Sequence, residues 1–122
     1  MKWDMTDREA TPTEELFTSI AVRLLGEPDV DEGRLFSAAG LRTNGKIFAM
    51  LTRGDRITLK LPAARCSELA AAGRGVPFEA GGRQMREWVS LVDPDADDAM
   101  LLAEEALAFL RELHGPPGGP PA

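Results

Sequence analysis

The sequence has one cysteine, one histidine and only 6% aromatic residues across 122 positions. Each shortage removes a class of function. A lone Cys66 cannot form an internal disulfide. A lone His114 cannot be half of a conventional His-based dyad, so a Ser-His-Asp triad fails for want of parts. No stretch approaches the roughly 18 apolar residues of a membrane span. The first residues, with Asp4, Asp7 and Glu9, lack the basic-then-apolar order of a signal peptide. No P-loop or dinucleotide fingerprint occurs either. The glycines of Gly73-Arg74-Gly75 and Ala80-Gly81-Gly82-Arg83 match neither pattern, and loop geometry explains them. These absences lead to the expectation of a non-enzymatic, cytoplasmic protein that uses no cofactor.

What is present suffices for one core. The hydrophobic fraction of 43% is ordinary globular usage. It is expected to build one domain over residues 11–114, between a polar N-terminus at 1–10 and a Pro/Gly tail at 115–122. Both ends are expected to be mobile, and the tail leaves no room for a second domain. Charge is segregated along the chain. Residues 1–33 carry nine acids and three bases, residues 34–92 carry ten bases and four acids, and the remainder carries seven acids and one base. The net of −6 argues against a general nucleic-acid binder. The basic middle nevertheless invites an acidic partner.

Local signals predict the order helix, three strands, short helix, strand, long helix. Thr11, Pro12 and Glu14 form a capping box that opens a helix over 12–25, with Leu16, Phe17, Ile20, Ala21 and Leu24 as its apolar stripe. Asn44-Gly45 fits a type I′ hairpin turn and Gly54-Asp55 a type II′ turn. Strands are therefore expected at about 34–43, 46–53 and 56–61, with Thr43 opposite Lys46 and Arg53 opposite Arg56. Pro62 precedes a helix at 63–72 that Gly73 closes. Residues 74–82 read as loop with a short strand at 76–79. A further strand follows at 85–92, with Met85, Val89 and Leu91 inward. Asp93 is expected to cap a final helix whose stripe is Ala99, Leu102, Ala106, Phe109, Leu110 and Leu113.

That register sorts the meander into two faces. One carries Leu41/Phe48/Leu61, Ala39/Met50/Leu59 and Ser37/Thr52/Ile57. The other carries Arg42/Ile47, Gly40/Ala49/Lys60, Ala38/Leu51/Thr58 and Phe36/Arg53/Arg56. Burying Phe48 or Leu59 stabilises by about 1.5–3 kcal/mol each, whereas burying unpaired arginines costs several. The result is an α+β fold: a twisted antiparallel sheet with helices on the first face and the arginine face open or partly covered.

This order resembles the N-terminal domain of the TfoX/Sxy family, which groups with the YjbR and CyaY (frataxin-like) folds. The residues carrying the resemblance are Arg34-Leu35-Phe36-Ser37-Ala38-Ala39-Gly40-Leu41, Asn44-Gly45-Lys46-Ile47-Phe48-Ala49-Met50-Leu51 and Ile57-Thr58-Leu59-Lys60-Leu61-Pro62. Gly75-Val76-Pro77-Phe78 and Met85-Arg86-Glu87-Trp88-Val89 continue it, so it spans about residues 13 to 113. It implies a regulatory module without catalysis, and the YjbR relatives imply DNA binding.

The expected contact surface is Arg42, Arg53, Arg56 and Lys60, joined by Arg86 and Trp88. Guanidinium groups beside an aromatic ring suit carboxylates, phosphates or bases. The partner is then a protein with an acidic patch or a nucleic acid, bound by a monomer or homodimer. The bland alternative is a solvated face whose cations balance the acidic flanks, and Trp88 taken alone is more often a core or rim residue. A different reading follows from the frataxin branch, in which iron lies on acidic helix 1 and the loop after it: Glu14, Glu15, Asp29, Asp31 and Glu32. First-turn acids usually serve the helix instead, and a loose acidic run does not converge on one ion. Cys66, among Ala63, Ala64, Leu69 and Ala70, reads as a buried small hydrophobe.

Overall fold

A computed structural model describes residues 10–35, 38–52 and 54–114. Its elements are α1 (Pro12–Leu24), β1 (Val30–Leu35), β2 (Ala38–Thr43), β3 (Lys46–Thr52), β4 (Arg56–Lys60), α2 (Ala63–Ala71), β5 (Gly75–Ala80), β6 (Arg83–Leu91) and α3 (Ala96–His114). The strands form one antiparallel sheet in the order β1-β2-β3-β4-β6-β5. The α+β class with helices on one face holds; the short strand expected at 76–79 lies within β5, and β1 is one strand more than expected. The segment read as one strand over 34–43 holds the end of β1 and all of β2, which pair antiparallel, with Leu35 opposite Ala38, while Phe36 and Ser37 lie outside the described residues. The segment read mainly as loop over 74–82 is β5 and a tight turn. That turn is Gly81-Gly82, with φ of 61° and 79° and with Ala80 opposite Arg83. Two adjacent glycines supply the positive φ that a two-residue hairpin needs.

The capping box of α1 forms as expected. The Thr11 side chain accepts from the Glu14 N–H, and the Glu14 carboxylate accepts from the Thr11 N–H. The Thr11 hydroxyl also donates to Asp55 at 2.7 Å, tying the helix start to the β3–β4 turn. The cap of α3 differs from expectation. Asp95, not Asp93, accepts from the Asp98 N–H at 2.8 Å. Asp93 has a φ of 43° and belongs to the turn before the helix. On α3, Ala99, Leu102, Ala106 and Leu110 are buried as the periodicity requires, but Leu113 is 52% exposed.

The Asn44-Gly45 turn has φ of 54° and 78° and sets Thr43 opposite Lys46, as a type I′ turn does. Two irregularities then change β3. Arg42 faces Ile47 but Leu41 faces Ala49, so Phe48 is an extra residue in the strand. At the other end Thr52, rather than Arg53, faces Arg56. A bulge of one residue inverts the alternation beyond it. Phe48 and Ala49 consequently both enter the core, while Met50 and Thr52 take the face expected for Ala49 and Leu51. Gly40 permits the bulge, because a Cβ there would lie 2.8 Å from the Ala49 carbonyl oxygen. The assignments of β2 and β4 survive. Leu41, Ile57 and Leu59 are core residues, whereas Arg56 and Lys60 are half-buried on the other side.

The helices share one side of the sheet. α3 crosses β2, β3 and β4, α1 packs on α3 and β4, and α2 packs on β5 and β6. Phe17, Ile20, Leu41, Phe48, Leu59 and Leu110 fill the space between the layers. Among the described residues no helix is long and apolar enough to cross a membrane.

Beyond Pro77 the β5–β6 pairing jumps. Pro77 faces Val89, but Phe78 faces Met85, so Arg86, Glu87 and Trp88 have no partner on β5. Pro77 has no N–H to donate to a neighbouring strand, and a bulge is where a sheet tolerates that. The expected inward set holds for Val89 and Leu91, which lie in the core, but the alternation does not run through the bulge to Met85. Trp88 stays paired on the β4 side, opposite Lys60.

Candidate binding surface

The sheet face away from the helices carries Gly40, Met50, Thr58 and Ser90 in one row across β2, β3, β4 and β6. Its middle is not open to solvent, because Met50, Thr58 and Ser90 are all buried, so of the two expected alternatives, open or partly covered, the first does not hold there. Polar atoms there are satisfied by each other. Thr52 Oγ1 lies 3.3 Å from the Arg56 carbonyl oxygen, 2.9 Å from Thr58 Oγ1, and Thr58 Oγ1 lies 2.8 Å from Ser90 Oγ. If the Thr52 hydroxyl donates to the carbonyl, Thr58 must donate to Thr52 and Ser90 to Thr58. Every oxygen then has a proton to accept or give, so burial leaves no orphan.

The residues expected to form one surface separate into several environments. Arg53 lies outside the described residues. Arg42 sits toward the β1 edge and is committed to Asp31 through Nε at 2.9 Å and Nη2 at 2.7 Å. Its side chain lies across Gly33, where a Cβ would overlap it. This hydrogen-bonded arginine holds the Asp31 carboxyl below its ordinary pKa. Arg56 is half-buried at the start of β4, opposite Thr52. Lys60 and Trp88 face each other across β4 and β6, and Arg86 lies two residues before Trp88 on β6. The Lys60 Nζ is 5.5 Å from the centre of the Trp88 ring and 3.3 Å from the Glu87 carboxylate.

Trp88 is 7% exposed, with the Phe78 ring 6.3 Å away at 56°. It therefore offers solvent no stacking face, and its neighbours make an aromatic and cation–π cluster. Arg86 is exposed and, among the described residues, joins no ion pair. It borders a cleft of about 400 Å³ between α2 and the β5–β6 hairpin. Ala63, Ala64, Ser67 and Ala70 form the helix wall, and Arg86 and Trp88 lie on the strand side. Cys66 also reaches the cleft, but it is buried, and desolvation raises its thiol pKa. Its Sγ donates to the Leu61 carbonyl at 3.6 Å. A thiol whose ionisation is disfavoured is a packing residue rather than a nucleophile.

Three of the five acids proposed for iron are otherwise engaged. Glu14 completes the cap of α1, Asp31 holds Arg42, and Asp29 binds Arg111 and Thr43. Among the described residues no group of three or more His, Cys, Asp or Glu side chains converges as metal ligands would.

Asp29 and Arg111 form a cluster that no local pattern announces. Arg111 Nε and Nη2 reach the two carboxylate oxygens at 2.9 and 2.6 Å, Nη2 also reaches Glu27 at 2.9 Å, and the Thr43 hydroxyl donates to Asp29 at 2.8 Å. This joins the end of α3 to the entry of β1 and the end of β2. Its two members are separated by 82 positions in the chain.

Charge divides between the layers. The three helices carry eight acids and three bases, while the six strands carry seven bases and four acids. Comparison with protein-family models, curated proteins and solved structures gives no match.

Proposed function

We propose that this protein is a non-catalytic binding module, akin to a TfoX N-terminal domain, that engages an acidic protein through the corner formed by Lys60, Arg86 and Trp88. The observation that carries this reading is Arg86. It is an exposed guanidinium without an ion pair among the described residues, beside a cleft with no carboxylate in its lining. Arg42 is the contrasting case, since a bidentate aspartate already satisfies it. The acidic helix layer disfavours nucleic acid as the main partner, because a polyanion would meet repulsion over much of the molecule. A cytoplasmic regulatory setting fits the unpaired cysteine.

Affinity capture from cell extract tests this with three baits: wild type, Arg86→Glu and Arg42→Glu. An acidic protein is expected on the wild type and on Arg42→Glu, with about tenfold or greater loss on Arg86→Glu. Equal recovery on all three baits would remove the surface from consideration. Recovery of DNA or RNA, with binding that collapses steeply between low and moderate salt, would shift the reading to nucleic acid.

A further inference from the structure

The two outer edges of the sheet are poor places for another strand. β1 presents Asp31, Glu32 and Arg34, and β5 contains Pro77. Charged side chains and proline are the usual means of blunting an edge. A third edge lies inside the architecture. β4 ends at Lys60, opposite Trp88, and the last hydrogen bond on that side runs from the Leu61 N–H to the Glu87 carbonyl at 3.0 Å. β6 extends further, back to Arg83. Over residues 83–85 it has β5 on one side and, among the described residues, no strand on the other, and Arg86 is paired with neither β5 nor β4. Strand backbone groups alternate between the two sides, so this overhang has groups available for pairing.

The overhang runs along the cleft. Gln84, Met85 and Arg86 line it, facing the small side chains of α2. Alanines at 63, 64 and 70 leave room for a backbone to approach. The charges there select the occupant. The lining holds one cation, Arg86, and no acid, and Arg83 is exposed three residues before it. The nearby Glu87 is held by Lys60.

We infer that the cleft takes an extended acidic segment of the partner protein, which pairs with the β6 overhang, places an apolar side chain against Trp88 and α2, and sets a carboxylate on Arg86. This is strand addition, in which main-chain bonds supply affinity and alternate side chains supply selectivity. The inference rests on the binding reading above and adds the conformation and chemistry of the ligand.

The test uses the full chain and three terminally blocked hexapeptides in titrations followed by backbone amide shifts. The first is Glu-Val-Glu-Val-Glu-Val. The second has the same sequence with its two central amides N-methylated, so that neither of these can donate to a strand. The third replaces every Glu with Lys. The acidic peptide should bind and shift Gln84, Met85 and Arg86. N-methylation should weaken it about tenfold or more, and the lysine peptide should not bind. Ser67→Trp, an exposed substitution on α2 that fills the cleft, should abolish binding while preserving the amide spectrum elsewhere. Equal binding of the N-methylated peptide, or unchanged binding to Ser67→Trp, overturns the inference. If no peptide binds at about 1 mM, yet an extract protein is still lost on Arg86→Glu, the inference fails while the binding reading stands. If that selective loss is also absent, both fail.

Discussion

Ala49→Glu is expected to abolish folding at 25 °C, a loss of more than about 4 kcal/mol, because it puts an unpaired carboxylate into the helix–sheet core. Ala49 is fully buried, opposite Leu41 and Leu59, in the same cluster as Phe48. Without the bulge it would stand on the other face, beside Gly40 and Lys60. Ile47→Glu provides the control. Ile47 precedes the extra residue, pairs with Arg42 and is only half-buried, so the loss there should be about 1 kcal/mol. Circular dichroism and urea denaturation of the two variants separate the alternatives. A well-folded Ala49→Glu beside an unfolded Ile47→Glu would place the inversion of β3 elsewhere.

Arg111→Met should destabilise the protein by about 2 kcal/mol and change its response to acid. The Asp29 side chain is 9% exposed, whereas that of Arg111 is 35% exposed. The expected loss therefore lies between that of a surface pair and a buried one, and solvent screening of the arginine is already discounted. The Arg111 hydrogen bonds hold the Asp29 carboxyl far below the usual carboxylate range, and the Thr43 hydroxyl contributes in the same direction. The folded-state pKa is thus lower than the unfolded one. The resulting stability is fully present above the ordinary aspartate value of about 4 and is lost as pH falls below it. In Arg111→Met this acid-dependent loss should be smaller, and most of the gap to wild type should close by about pH 2–3. Urea midpoints measured from pH 7 downward would show it. A gap of constant size across that range would mean that the pair contributes nothing through Asp29 ionisation.

The contrast between these clusters shows where local sequence carries structural information. Thr11 and Glu14 close the cap of α1, and Asn44-Gly45 turns the chain, because each device acts within four residues. Gly81-Gly82 is the same kind of signal. It reads as a hairpin once flanking strands are admitted, and Pro77 obscures the strand before it. The bulge at Phe48 has no comparable mark. Gly40 permits it from the neighbouring strand, and only the packed sheet shows that Phe48 and Ala49 both belong inside. The one-residue change at the β3–β4 turn then restores β4, which is why Leu59 and Ile57 fall where alternation expected them although Met50 does not.

The candidate site was legible in part. Charge segregation singles out the basic middle, and the parity of β6 puts Trp88 on the face of Lys60, where the register sets the two opposite each other. Sequence could not show that Asp31 would satisfy Arg42, since that pairing depends on the β1–β2 register and the bare surface over Gly33. The reading of Trp88 taken alone as a core or rim residue, rather than a stacking platform, is the one that holds, since it is buried. The cleft arises because α2 leaves the sheet after Lys60 while β6 runs on, a relation between two strand lengths that neither strand contains alone.

The most direct measurement for the binding surface is an amide and indole shift map of the isotopically labelled protein on addition of the captured partner. Shifts should concentrate at Ala63–Ser67, Gln84–Arg86 and the Trp88 indole, with little change around Asp31 and Arg42. A map centred on the β1–β2 pair, or on the acidic outer surface of α3, would contradict the assignment of the partner to the α2–β6 corner.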